Sequence, residues 1–252
     1  MTSWSIRRQF FYVSAAITVL LFAIVLPTLF VTYKAPSCSD GSKNQGELGV
    51  DCGGPCSVLC KASALDLIVH WQRVFRVKDG VYNALAYVEN PNLGSGADSI
   101  SYLFKLYDKD NLLIYERRGQ TFVPANKIFG VFESNISTGI SIPARAFFEF
   151  SQAPVWRKES NLEETLAVTN PLLSSEAGLP RLTASLENRG VDPAYNIEVV
   201  SVVYDATGNA IASSRTIVDS VGKDTSVPIV FTWPEVFPAA ATRVELLYRV
   251  LR

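Results

Sequence analysis

Apolar and polar positions alternate in two different ways along this chain. From Phe10 to Val31 the run "FFYVSAAITVLLFAIVLPTLFV" carries no charged residue. A helix of that length, rising about 1.5 Å per residue, just spans a hydrocarbon core of about 30 Å. From Ser63 onward the pattern becomes short apolar runs broken by Gly, Pro, Asn and Asp, the punctuation of an all-β chain. In "SYLFKLYD", Tyr102, Phe104 and Leu106 fall on one face of a strand and Lys105 on the other. Asp108 to Asn111 then turn the chain into the return strand "NLLIYER", and Asp205 to Asn209, with Gly208, do the same ahead of "NAIASSR". Phe129, Val131 and Phe132 read as core, and the glycine-rich "LGSGAD" at 93–98 reads as a hairpin loop.

The β region repeats itself. "YVENPN" at 87–92 matches "SLENRG" at 185–190, and "YLFKLYDKDNLLIYE" at 102–116 matches "VVSVVYDATGNAIAS" at 199–213. "TFVPAN" at 121–126 matches "TIVDSV" at 216–221, and "VFESN" at 131–135 matches "VFTWP" at 230–234. The offset stays near about one hundred residues, the size of an immunoglobulin-like sandwich. The expected fold is therefore mainly β: two tandem immunoglobulin-like β-sandwiches after one N-terminal transmembrane helix and a short cysteine-rich segment. The corresponding boundaries are a tail at 1–9, the anchor at 10–33, the cysteine segment at 34–62, sandwich 1 at 63–153, and a linker with sandwich 2 at 154–252. In the junction "APVWRKESNLEE", packing of Trp156 between the sandwiches would stiffen it, and its absence there would leave it loose.

Arg7 and Arg8 precede the apolar run and Lys34 is the only charge close behind it, while Trp4, Tyr12 and Tyr33 suit the interfacial belts. The positive-inside bias puts the short N-terminus in the cytoplasm and the remainder outside the cell membrane. A cleaved signal peptide is the competing reading. Its usual apolar core is shorter, and the small-residue exit "YKAPS" would place Pro36 just after the cut. An uncleaved single-pass anchor is expected, with Pro27 tolerated as membrane helices tolerate kinks.

All the cysteines, Cys38, Cys52, Cys56 and Cys60, lie in one stretch with the spacing C-x13-C-x3-C-x3-C. Outside the membrane they face an oxidising compartment, where two disulfides are expected and the pairing stays open. A zinc site would show two close pairs, and iron–sulfur ligation needs protected thiolates. Gly53-Gly54-Pro55 supplies the tight backbone between them. Asp40, Asn44, Glu47 and Asp51 are interleaved, and hard oxygen donors at that density suit Ca²⁺, although the spacing is not that of an EF-hand. The alternative is that they bond to their own loop backbone as turn residues. No cofactor is expected otherwise.

Two resemblances follow from these residues. The pattern C-x-D-G-x-x-N-x-x-E-x-x-x-D-C-G-G-x-C resembles a short cysteine module of bacterial exported proteins, although Ser57-Val58-Leu59 here replaces a two-residue final gap. It implies a juxtamembrane stalk. Phe104, Leu106, Tyr107 and Asp108 resemble the signature of the F-x-L-Y-D family of bacterial β-sandwich domains, and Tyr204 and Asp205 retain its last two positions after Ser201. That resemblance implies exported immunoglobulin-like modules without catalytic residues, in which the tyrosine packs and bonds its hydroxyl to backbone.

Charge is nearly balanced, with Lys and Arg numbering 23 against 24 Asp and Glu, which argues against a nucleic-acid surface. The single histidine, His70, lies beside Trp71 in "LIVHWQRVF" and reads as a strand residue facing solvent or held by a hydrogen bond. Glu163-Glu164 reads as a solvated loop, and no nucleophile elbow, H-E-x-x-H pair or phosphate-cradling loop is present. The expected function is non-catalytic: an anchored envelope or surface protein that presents sandwich faces or edge strands to a protein partner. The alternatives are a Ca²⁺- or ligand-sensing module centred on the cysteine loop, and an accessory subunit of a membrane complex. In the last, Ala15, Ala16, Thr18 and Ala23 would allow close helix approach.

Overall fold

The computed structural model describes residues 3–32, 36–159 and 165–251. Tyr33, Lys34, Glu163 and Glu164 lie outside the described residues. The chain divides into two compact units, residues 1–56 and 57–252.

In the first unit, α1 (Ser3–Thr32) begins before the predicted span, and Ile6–Phe30 within it is long and apolar enough to cross a membrane. Its described side chains are exposed throughout, as expected of a helix whose apolar surface has no protein to cover it. The hydroxyls of Ser14, Thr18 and Thr28 donate to carbonyls of the preceding turn, so the helix satisfies its own polar groups. Thr18 thus spends its hydroxyl within its own helix.

The second unit contains the repeat. The first copy comprises β1 (Ile68–Lys78), β2 (Val81–Asn90), β3 (Ser95–Tyr107), β4 (Leu113–Val123), β5 (Lys127–Ser137) and β6 (Arg145–Phe150). After β7 (Arg157–Lys158), the second copy comprises β8 (Leu166–Glu176), β9 (Leu179–Asn188), β10 (Ala194–Tyr204), β11 (Ala210–Val221), β12 (Thr225–Thr232) and β13 (Arg243–Val250). Both copies form antiparallel sheets with the same connectivity. β1-β2-β5 and β4-β3-β6 make the first sandwich; β8-β9-β12 and β11-β10-β13 make the second. The architecture is the expected pair of β-sandwiches after one apolar helix.

Matched residues in the two copies do the same work. Asn90 and Asn188, both buried, close the ends of β2 and β9. Asn90 Nδ2 donates to the carbonyls of Ser95 and Pro124, and Asn188 Nδ2 to those of Asp192, Val221 and Gly222. Their Oδ1 atoms accept from the N–H two residues on, Asn92 and Gly190. One side chain thus stitches loop carbonyls that no strand reaches. Asp108 Oδ1 accepts from the N–H groups of Asp110 and Leu112, and Asp205 Oδ1 from those of Thr207 and Asn209, so the final Asp of the motif is the hinge of a hairpin turn. These bonds, that to the Thr207 hydroxyl foremost, hold the Asp205 carboxyl below its ordinary range.

The sandwiches are not beads on a linker. The outer face of β1-β2-β5 packs on the outer face of β11-β10-β13, with Phe75, Leu85 and Phe132 against Val200, Val202, Tyr204 and Leu247. Four sheets therefore stack around three apolar layers. The consequence is written into β10: Ile197 to Tyr204 are all buried, because both faces of that strand are covered. A side chain at Gly130 in β5 would meet Leu85 of the neighbouring strand at 2.8 Å, so glycine there leaves room for Leu85 in the layer between the copies.

Two local expectations change. Leu93 and Gly94 form the turn, but Ser95, Gly96 and Ala97 are buried strand residues, because β3 begins there and pairs with β7 through Ser95–Lys158 and Gly96–Arg157. Trp156 does not lie between the sandwiches. It is buried in the first sandwich's core, and its carbonyl accepts from the N–H of Leu59. The junction up to Lys158 is therefore stitched to the first copy, and the copies meet through their sheet faces instead.

Candidate functional site

The cysteine loop draws the predicted site residues together, and the partners are mostly main chain. Cys38 and Cys56 form a disulfide with their Cα atoms 5.6 Å apart, and Cys52 and Cys60 are oxidised as well. Asp40 Oδ1 accepts from Ser42 N–H at 2.8 Å, and its Oδ2 accepts from Ser37 N–H at 3.0 Å and Asn44 Nδ2 at 2.8 Å. Both oxygens of Asp51 accept from Gly41 N–H, and Glu47 Oε2 accepts from the N–H groups of Asn44 and Asp51. These side chains work as turn caps. A side chain at Gly54 would lie 2.2 Å from the Gly46 carbonyl, and its φ of +56° is left-handed, so the Gly-Gly pair is what lets the loop close.

Among the described residues, two oxygens in this loop lack a donor. Asn44 Oδ1 is buried without a hydrogen-bond partner, and Glu47 Oε1, in a side chain only 5% exposed, lies 3.1 Å from Cys56 Sγ. That sulfur is oxidised and has no proton to give. Cys38, Glu47 and Cys56 have ligand atoms within 4.8 Å of one another, but disulfide sulfurs are not thiolates, and a metal would require reduction first.

The signature residues take three different roles. Phe104 and Leu106 lie fully buried in the first core. Tyr107 is half-exposed on the outer face with the Arg145 guanidinium 5.8 Å above its ring. Tyr204 faces the other copy, and its hydroxyl donates not to backbone but to Glu245 Oε2 at 2.8 Å, while Tyr87 of the first sandwich donates to Glu245 Oε1 at 2.6 Å. The backbone partner expected for the motif tyrosine is corrected at Tyr204: its hydroxyl bonds a carboxylate on the neighbouring strand of its own sheet, which Tyr87 reaches from the other copy. His70 is held by Glu89, with Nε2 2.7 Å from Oε2.

Polar residues that the sequence did not single out bind the copies together. Arg249 Nε donates to Glu198 Oε2 at 2.6 Å, and its Nη1 reaches across to Thr121 Oγ1 at 2.9 Å and the Phe122 carbonyl at 3.1 Å. Arg215 completes the pair from 3.3 Å. The only signal in the sequence was a charge placed inside an apolar strand, as in "IEVVSVVY". At the other end, Arg73 donates to Asn209 Oδ1 and the Ala210 carbonyl, and Arg76 pairs with Glu235 at 3.2 Å and with Asp79.

Burial, and then the carboxylate each one bonds, holds Tyr87, Tyr102 and Tyr204 protonated well above the usual phenol range. Because the folded pKa is raised, the stabilisation is complete below about pH 10, the unfolded value, and is lost as pH rises beyond it. Alkaline titration followed by phenolate absorbance is expected to show these three ionising only as the native fold is lost. Ionisation of all 10 tyrosines near pH 10 with an unchanged fold would contradict this.

No family model matches the chain, and no curated protein matches it. Among solved structures, it is similar at 11% identity to a red sea bream transglutaminase, covering 71% of this chain and 28% of that one with a TM-score of 0.24. It is similar at 12% identity to a β-glucuronidase from glycoside hydrolase family 2, covering 62% of this chain and 20% of that one with a TM-score of 0.21. The chain thus spans less than a third of the length of either protein. Likeness at that level carries no argument about activity.

Proposed function

We propose that this chain is a single-pass membrane protein, with its N-terminus in the cytoplasm, whose two-sandwich unit stands outside and binds a protein partner without catalysis. The carrying observation is a span-length apolar helix, with Arg7 and Arg8 in its first turns ahead of the uncharged run, followed by a segment whose cysteines are oxidised. The helix supports the anchor, the Arg pair supports the orientation, and the disulfides support an oxidising compartment. Membership of the F-x-L-Y-D family belongs to the same proposal, supported by Tyr107–Asp108 and Tyr204–Asp205 at the same strand-to-turn position of both copies.

Protease added to intact cells expressing the full chain is expected to remove the C-terminal unit and leave the helix in the membrane. Release of a mature ectodomain without protease would identify a signal peptide and overturn the anchor. Cross-linking in the native membrane is expected to capture a second polypeptide; adducts of lipid alone would overturn the partner.

Ca²⁺ sensing by the cysteine loop is the second reading, and Asn44 favours it: its Oδ1 is buried without a donor in a loop of carboxylates. Chelator would then lower the melting temperature of the full chain and Ca²⁺ restore it. Indifference to both would leave a disulfide staple.

A further inference from the structure

Edge strands are natural docking sites, and this fold blunts some and leaves others open. Pro171 with a bulge interrupts β8, and Pro228 interrupts β12, so both edges of the outermost second-copy sheet are poor templates. By contrast, β1, β6 and β11 are edges of three different sheets, and none contains proline. They meet at one groove of about 570 Å³, within the usual range for ligand sites of about 300–1,000 Å³. Phe75, Ala146 and Ala210 supply an apolar lining of mostly small side chains.

The charged side chains lining the groove are Arg73, Arg76 and Arg145. Arg76 is neutralised by Asp79 and Glu235. Arg73 is bonded only to neutral oxygens, those of Asn209 and Ala210, and Arg145 lies over the Tyr107 ring. Among the described residues, neither has a carboxylate partner. Each guanidinium offers donors in a fixed fork that matches a carboxylate.

We propose that this groove binds an extended peptide segment bearing carboxylates, with Arg145 and Arg73 as the anion contacts and the edge strands' free main-chain groups alongside its backbone. The proposal rests on the partner-binding reading above and names its site and chemistry. A polypeptide is favoured over an acidic glycan because an edge strand's alternating N–H and C=O groups are matched by another peptide backbone.

The test uses the full chain in detergent micelles and a fluorescent ten-residue probe of alternating Glu and Thr, beside a version with Gln for Glu. The Glu probe is expected to bind about tenfold more tightly, with the difference shrinking at high salt. Arg145→Glu, at an exposed side chain outside the core, should weaken it by about tenfold or more, and Arg73→Gln should do so while the fold persists. Hydrogen exchange should slow in β1, β6 and β11 on binding. Equal binding of the two probes, or an unaffected Arg145→Glu protein, overturns the proposal. Displacement by oligogalacturonate without exchange protection overturns it in favour of a glycan site. If cross-linking returns a partner whose contacts lie elsewhere, the groove fails while the partner-binding reading stands.

Discussion

Replacing Arg249 by alanine is expected to destabilise the two-sandwich unit by about 3–5 kcal/mol, the cost of leaving a buried charge without its partner. Glu198 and Arg249 are both nearly inaccessible, and Arg215 alone would remain beside the Glu198 carboxylate. The same change removes the donors to Thr121 and the Phe122 carbonyl, and the guanidinium 4.6 Å above the Phe122 ring. Urea unfolding of the full chain in micelles would measure the loss. The double change Glu198→Leu with Arg249→Met should recover most of it, because an apolar pair of similar volume removes the desolvation penalty along with the attraction. A loss under about 1 kcal/mol for Arg249→Ala would mean that water already reaches the pair.

The second large effect is expected at Phe104. Phe104→Ala should cost about 3–5 kcal/mol, and Phe104→Leu about 1–2 kcal/mol, from lost transfer energy and the cavity left behind. The ring is fully buried and packs at 4.8 Å from Phe148 and 5.9 Å from Tyr102. The second copy has no such ring. Ser201 takes the equivalent place, fully buried, with its hydroxyl donating to the Ser214 carbonyl. Phe231, Trp233 and Phe237 provide that core's aromatic mass instead. The loss of the leading Phe from the second motif is thus a difference in how a core is filled. Ser201→Phe should destabilise by overpacking, by about 1–3 kcal/mol, rather than restore a missing contact.

The outermost faces of the two sandwiches differ from the faces between them. On the free face of β3, Lys105 pairs with Glu149 at 3.7 Å, and Glu116 with Arg118 at 3.1 Å. On the free face of β9, Thr169 bonds Glu187, which also holds Arg189. The middle faces, by contrast, carry Phe75, Leu85, Val200 and Val202.

Much of this was legible along the chain, and for a local reason. A strand's side chains alternate and a hairpin needs Asp, Asn or Gly at its turn, so apolar spacing and punctuation are enough to predict β3, β4, β10 and β11 and the apolar helix before them. The repeat was legible because Asn90 and Asn188, and Asp108 and Asp205, do the same local bonding in each copy. What only the tertiary structure decided are the contacts between segments far apart in sequence. Nothing local in "IEVVSVVY" distinguishes a strand covered on both faces from a strand in any apolar core, nor pairs Glu198 with Arg249. Nor does the spacing of the cysteines choose Cys38–Cys56, because several closures of one short loop are compatible with the same spacing. The sequence by itself determined the elements and their repetition, since these depend on neighbours along the chain. The docking of one sandwich on the other, the buried ion pair between them and the groove where three edges meet were decided in space, where the free energy of burial depends on which faces come together.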